Sequence, residues 1–366
     1  MAREIEVNEN TIDENDNSTE VSIEIDGNPY RFWQTANIKF SFDTIADTFS
    51  ISGPYNPENK NIKKLFKPYS YKEIILYIGG NKVLTGVMLT PRHENNSNSR
   101  IITIDGYSTP GILEDSTVSP NSWPVEFDGL NLKEIAEKLS RPFGIKVVFD
   151  GDPGGKFEKN DKIRISPDQK IGTFIAGLAK ERGFVLSSDV NGNLLFQKTT
   201  TVPANITIAE GSYPYIRSSS QYNGQSRYSD ITALSTNFKK GAGEVSTVSD
   251  PELLKNGVSR HMVFKAGNTN SGNLKNAAIA KLGRIFAESA SLQVDVIGFY
   301  PPGESQVWKD NKKIFYRGEG DQILTDTEFL IRNAELKKNQ NSEETTLDLV
   351  FPESYNGEIR EVFPWD

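Results

Sequence analysis

His93 and His261 are the whole imidazole supply of a 366-residue chain that contains no cysteine. Disulfides, thiol catalysis and thiolate zinc sites are excluded together, and a nucleophilic relay or a histidine metal centre would need one of these two rings. His93 stands in the polar stretch PRHENNSNSR and His261 beside Met262, neither within HExxH or GxSxG. Paired acids such as Glu114 with Asp115, or Glu126 with Asp128, are the residue type that glycoside hydrolysis uses. With 49 Asp and Glu in the chain such pairs arise by chance and read as solvated surface. GDPGGK, from Gly151 to Lys156, ends like a phosphate loop, but Phe157 follows where a Ser or Thr should hold the metal. DVNGN, from Asp189, begins like a calcium loop, yet Leu194 occupies the glycine position and Thr200 the bidentate acid position. Both are expected to be turns. No catalytic residue, metal site or cofactor is expected. One basic cluster remains, Lys60, Lys63, Lys64, Lys67 and Lys72, interleaved with Phe66, Tyr69 and Tyr71. It fits contact with an acidic partner, a neighbouring subunit for example, better than nucleic acid.

The bulk charge points the same way. A formal charge of −8 opposes binding that depends on neutralising phosphates with clustered Lys and Arg. No run approaches 18 apolar residues, and the N-terminus MAREIEVNENTIDENDNSTE is acidic where an export signal needs a positive start. The expectation is a cytosol-made chain without a membrane anchor, of two or more domains at this length.

Hydrophobic period divides the chain. Residues 1–19 are polar and acidic and are expected to form an arm. From Val21, runs such as VSIEIDG, NIKFSFD and KEIILYIGGNKVLTGVMLT alternate with period two between Gly, Pro and Asn punctuation, predicting a β-barrel over 20–110. The period then becomes helical. Leu132, Ile135, Ala136 and Leu139 form one stripe, and Ile171, Phe174, Ile175 and Leu178 repeat it 39 residues later, with Gly144 and Gly183 just past the helix ends. Two helix–strand units over 111–200 follow, closed by a hairpin at Asn191-Gly192. Strand grammar returns over 201–235 and 291–352, predicting a second β-barrel split by an insertion at 236–290 that carries a helix. Residues 353–366 form a tail. The fold class expected is α+β, mainly β.

Two segments then ask to be compared. NKVLTGVMLTPRHENNSNSRIITIDGYS and FLIRNAELKKNQNSEETTLDLVFPES each place a polar loop between two long apolar strands, and each closes its β region. Setting Val83 against Phe329, with one residue of slip in the loop, brings Ile102 and Ile104 opposite Leu347 and Leu349. This predicts an internal duplication. Val83, Val87, Leu89, Phe329, Ile331 and Leu336 are candidate strand contacts between barrels, and Asn96 and Ser342 mark candidate loop tips on one face of an assembly.

With those segments in order, the chain resembles the baseplate hub proteins of contractile-tailed phages, most like the Mu-type tail hub and more remotely the T4 hub. The resemblance spans residues 20–352 and rests on GVMLTPRHENNSNSRIITIDGYSTPGILEDSTV, LNLKEIAEKLSRPFGIKVVFD, IGTFIAGLAKERGFVLSSDVNGNLLFQK, VIGFYPPGESQVWKDNKKIFYRGEG and TTLDLVFPE. It implies a homotrimer whose six barrels make a pseudo-sixfold ring, seating a threefold spike against a sixfold tail tube. DNA would meet the chain only in transit through the central channel, in a virion baseplate assembled in the bacterial cytoplasm. The hub of a tailocin-like injection machine is the alternative within this class. A cell-wall hydrolase using a carboxylate pair is the enzyme alternative.

Overall fold

The computed structural model describes residues 19–123, 125–157, 163–235, 245–266, 271–356 and 364–365. The acidic arm up to residue 18, residues 236–244 and 267–270 of the insertion, and most of the C-terminal tail lie outside them.

The described residues open with seven strands: β1 (Val21–Ile25), β2 (Asn28–Tyr30), β3 (Thr35–Ser41), β4 (Thr48–Pro54), β5 (Glu73–Ile78), β6 (Asn81–Asn95) and β7 (Arg100–Ser108), with helix α1 (Lys60–Leu65) between β4 and β5. Alternation decides their faces. In β3, Ala36, Ile38 and Phe40 are buried while Asn37 and Lys39 turn to the other side, the pattern a sheet with one packed face requires.

A short helix, α2 (Ile112–Asp115), leads to α3 (Leu132–Ser140), β8 (Val147–Phe149), α4 (Ile171–Glu181), β9 (Val185–Ser188) and β10 (Leu194–Gln197). Asn131 and Glu134 form a capping box that starts α3, satisfying two otherwise orphaned amide donors. The two helical stripes seen in sequence meet in one cluster: Leu132, Ile135, Ala136 and Leu139 pack with Ile171, Ile175 and Leu178. Beside them β10 pairs in parallel with β8 and antiparallel with β9.

Strands β11 (Thr207–Ala209) and β12 (Tyr215–Tyr222) follow, then an inserted layer of β13 (Asp230–Ser235), β14 (Val245–Ser249), α5 (Pro251–Lys255), β15 (His261–Ala266) and α6 (Ser271–Ser289). Strand β13 is central in its own small sheet, and Ala233 and Ala266 pack on Leu274 and Ala278 of α6. The chain returns through β16 (Ala290–Ile297), β17 (Lys313–Gly318), β18 (Ile323–Lys338) and β19 (Glu343–Val350) to α7 (Glu353–Asn356).

The fold is mainly β and largely antiparallel, but the two β regions expected as separate barrels do not form closed barrels. Both β regions belong to one open thirteen-stranded sheet, ordered β12-β16-β19-β18-β3-β4-β7-β6-β5-β1-β2, with β17 on β18 and β11 on β17. The cause is the length of β18. Its first half pairs with β17, from Ile323 to Leu330, and its second half takes β3 instead, from Asn333 opposite Ser41 to Lys338 opposite Ala36. An edge that would have closed one region is thereby used to join it to the other, and a single apolar core runs under both.

Candidate assembly surface

The duplication is written in the hydrogen-bond registers. In the β6–β7 ladder Thr90 faces Asp105, Arg92 faces Thr103 and Asn95 faces Arg100. In the β18–β19 ladder Asn333 faces Asp348, Glu335 faces Thr346 and Lys338 faces Glu343. Subtracting 243 from both numbers turns each of the second pairs into one of the first. The same subtraction carries the bulge between Ile331 and Asn333 onto the bulge between Met88 and Thr90, and carries the pair Gln293–Asp348 onto Ser50–Asp105. It also superposes the turns. Asn96 N–H donates to Ser99 O at 3.0 Å, and Asn96 Oδ1 accepts from the amides of Asn98 at 2.9 Å and Ser99 at 2.7 Å. Asn339 N–H donates to Ser342 O at 3.0 Å, and Asn339 Oδ1 accepts from Asn341 at 2.8 Å and Ser342 at 2.9 Å. Strand β3 matches β12, since Asn37 faces Ser50 as Ser219 faces Gln293. The sheet is thus a tandem of equivalent four-strand units, β12-β16-β19-β18 followed by β3-β4-β7-β6.

These registers replace the sequence alignment that set Val83 against Phe329. Asn96 corresponds to Asn339 and Ser342 to Ser99, so the two marked loop tips sit in matching turns but are not matching residues. On the first strand the alignment is three residues out, which changes the face of every side chain, and on the return strand, after its one-residue slip, two residues out, which keeps the face. Hairpin geometry, which the alignment could not weigh, settles it.

The six candidate strand contacts divide. Leu336 alone lies on the β18–β3 junction, directly opposite Ile38. Phe329 and Ile331 are buried in the core before that junction, Phe329 opposite Ile314 and Ile331 opposite Leu349. Val83 is buried in the part of β6 paired with β5, and Val87 lies between Glu73 and Tyr107. Leu89 is the bulged residue of β6 and lines a shallow cavity of about 400 Å³ together with Asn37, Lys39, Ser50, Asp105 and Glu335. Sequence reasoning missed the strands that make the junction. Strand β3 was visible as an alternating run, but no local signal says which strand will pair with it from 300 residues away.

Away from the core the tandem sheet presents a polar face held by side-chain bonds. Asn37 donates to Glu335 at 2.6 Å, Ser50 to Asp105 at 2.7 Å, Gln293 to Asp348 at 3.2 Å and Asn333 to Asp348 at 2.8 Å. Asp105 and Asp348 occupy equivalent places in the two units. Of the basic cluster, Lys60, Lys63, Lys64 and Lys67 lie on and just after α1 and are exposed, whereas Lys72 is half-buried and paired with Asp26 at 3.2 Å.

Beneath the junction lies a buried acid pair. Asp47 accepts from the amide of Ser41 at 3.0 Å and the hydroxyl of Ser188 at 2.9 Å, tying the β3–β4 loop to β9. Burial, with the nearby charge of Asp310 adding, pushes the Asp47 carboxyl up to about 7 against the pull of Lys309. Asp310 is raised too, chiefly by burial.

The histidines do separate things. His93 stacks edge-on against Tyr55 at 4.6 Å between ring centroids. His261 lies between Asp230, 3.1 Å from Nδ1, and Ser259, 3.1 Å from Nε2. That order of groups could pass a proton. It is open to solvent, His261 being 66% exposed on the side chain, and the hydroxyls of Ser249 and Ser229 hold Asp230 below the ordinary carboxylate range. Glu126 is paired with Arg164 at 3.0 Å and Asp115 accepts from the Tyr107 hydroxyl at 2.8 Å. Among the described residues no group of three or more His, Asp and Glu is placed to hold a metal ion, and no helix is long and apolar enough to cross a membrane.

Comparison with known proteins follows this division of the chain. Residues 20–108 match the family model of the Mu phage baseplate assembly protein GpP-like, N-terminal domain, and residues 111–198 match that of the baseplate hub protein gp44-like, second domain. In order along the chain, then, stand a region similar to a domain of a phage baseplate assembly protein and one similar to a domain of a baseplate hub protein. No curated protein sequence matches it significantly. Among solved structures it is similar to the 43 kDa tail protein of prophage MuSo2 from Shewanella oneidensis, with TM-score 0.78, 22% identity, and coverage of 92% of this chain and 99% of that one. The tail protein from Neisseria meningitidis MC58 gives TM-score 0.76 at 18% identity, covering 92% and 98%. An E. coli component of the type VI secretion system, described as similar to the T4 tail proteins gp27 and gp5, gives 0.53 at 13% identity, covering 90% and 76%. The fold, second β region included, is shared with tail proteins.

Proposed function

We propose that this chain is the structural baseplate hub of a contractile phage or prophage tail, and that three copies form a ring joining a threefold spike to a sixfold tail tube. The carrying observation is the β18–β3 junction, where two equivalent four-strand units stand side by side in one sheet. A threefold ring of tandem units presents six near-identical positions around its axis, which is what an adaptor between threefold and sixfold partners needs. The polar face, with Asp105 and Asp348 in equivalent places, would line the central channel. On that face Arg92 is paired with Asp105 and Lys337 with Glu335, and a wall whose cations are met by acids lets DNA pass without retaining it. Spike, tube and neighbouring baseplate proteins are the partners this role requires, and the α1 lysines are the surface offered to an acidic one. The role is non-enzymatic and belongs to the virion tail, assembled in the host cytoplasm. The hub of a genome-free contractile machine is favoured by one observation, the likeness to the type VI secretion component. Flanking capsid and packaging genes would decide for the phage.

The test is solution mass with particle imaging. The ring predicts a species of about 122 kDa, three times the 40.8 kDa chain, with six lobes in projection. A monomer across micromolar concentrations, alone and with its spike, would sink this reading.

A further inference from the structure

In the ladder joining the two units, Leu336 of β18 faces Ile38 of β3, and the ladder runs from Asn333–Ser41 to Lys338–Ala36. The equivalents of those two strands are β6 and β12. Among the described residues neither uses its corresponding edge. Thr90–Asn95 of β6 pairs only with β7, and β12 pairs only with β16. The consequence is visible in burial. Ala334 and Leu336 are buried under β3, whereas Pro91 and His93, their equivalents, are only half-buried. Likewise Ala36, Ile38 and Phe40 are buried, while Ser218 and Ser220 are half-buried and Tyr222 is exposed.

We infer that the seam between chains is a copy of the seam within the chain: Thr90–Asn95 of one copy pairs antiparallel with Ser218–Asn223 of the next, His93 opposite Ser220. Resting on the ring proposed above, this deepens it by naming the edges and their register. Carrying the β18–β3 ladder across residue by residue sets Thr90 against Asn223, Arg92 against Gln221, Glu94 against Ser219 and Asn95 against Ser218. The contact is head to tail, so it must close into a ring or propagate.

Three local features fit. The Phe42 amide donates to Arg332 O at 2.8 Å, and alternation along an antiparallel ladder then turns the backbone groups of Ala334, Leu336 and Lys338 toward β3. By equivalence Pro91, His93 and Asn95 turn theirs outward. Pro91 has its missing donor on the open edge, where a strand tolerates proline, so the inferred seam lacks that one bond while the Pro91 carbonyl still accepts. Second, His93 Nδ1 is enclosed without a hydrogen-bond partner, and the inferred register brings the Ser220 hydroxyl beside it. Third, Ser218–Asn223 of the β12 edge contains neither the charged side chains nor the proline that blunt an edge against pairing, and its backbone is accessible.

A chain without cysteine makes the register testable by disulfide trapping. The double variant Glu94→Cys with Ser219→Cys places thiols across the inferred seam, Asn37→Cys with Lys337→Cys places them across the known junction, and Glu94→Cys with Asn223→Cys is four residues out of register. Mild oxidation should convert the first to a covalent trimer on a non-reducing gel, close the second within one chain, and leave the third at chain mass. A trimer in solution whose first variant stays uncrosslinked while the second oxidises overturns the seam and leaves the ring standing. Preferential crosslinking of the third variant does the same. A monomer throughout overturns the ring and the seam together.

Discussion

Leu336 and Ile38 face each other across the β18–β3 junction, each 1% exposed, although 298 residues separate them in sequence. This pair lies within the ladder, Asn333–Ser41 to Lys338–Ala36, that joins the two four-strand units in one sheet over one core. Leu336→Ala should leave a cavity at the middle of the junction and cost about 2–5 kcal/mol. Denaturant unfolding checks the magnitude, and because the core is shared, tryptophan fluorescence and far-ultraviolet circular dichroism should lose signal together.

The acid pair under the junction predicts a pH dependence. Asp47 titrates near 7 in the folded chain and near its ordinary 3.8 when unfolded, so the folded state binds its proton more tightly. Its contribution to stability is complete below the unfolded value and is lost as pH rises through about 7. Stability should thus fall between about pH 4 and 7, with Asp310, raised in the same direction by burial, reinforcing the trend. Asp47→Asn should flatten the profile, measured as midpoint of thermal unfolding against pH. An unchanged slope would refute the assignment.

The matching turns predict matching positions. Ser99→Cys and Ser342→Cys lie at equivalent places in hairpins closed by Asn96 and Asn339. Labels on the two should appear at the same height and radius of an isolated ring, alternating around it. Labels on opposite faces would refute the pseudo-sixfold arrangement even if the protein were trimeric.

Ser259, His261 and Asp230 form a relay in appearance, exposed on the inserted layer. Ser259→Ala and His261→Ala should each change stability by less than about 0.5 kcal/mol, as surface substitutions do, and leave particle assembly intact. A fluorophosphonate probe should not label Ser259. Labelling that His261→Ala abolishes would make the relay catalytic.

Replacing Lys60, Lys63, Lys64 and Lys67 with Glu should leave the fold unaltered, since all four side chains are exposed. Capture of an acidic tail partner should weaken, and the wild-type interaction should itself weaken between 50 and 300 mM salt, because exposed charges are screened at that ionic strength. Salt-independent binding would place the partner elsewhere.

Much of this molecule was legible in its sequence because the deciding physics is local. Period-two alternation placed Ile38, Phe40, Phe49 and Ile51 on one face of their strands, and a helical stripe with its following glycine placed Leu132, Ile135 and Leu139 in a core. The absence of cysteine and the scarcity of histidine narrow the chemistry by composition alone. The duplication was also legible, as two polar loops between long strands, but its alignment was not. Register depends on a bulge at Leu89 and Arg332 and on which amides Asn96 and Asn339 bind, and a pattern of apolar residues is nearly unchanged by sliding along itself. Tertiary structure alone decided that β18 leaves β17 midway and takes β3. That choice pairs residues some 300 positions apart, and it turns what alternation reads as two barrels into one open sheet that leaves, among the described residues, an unpaired edge at β6 and another at β12.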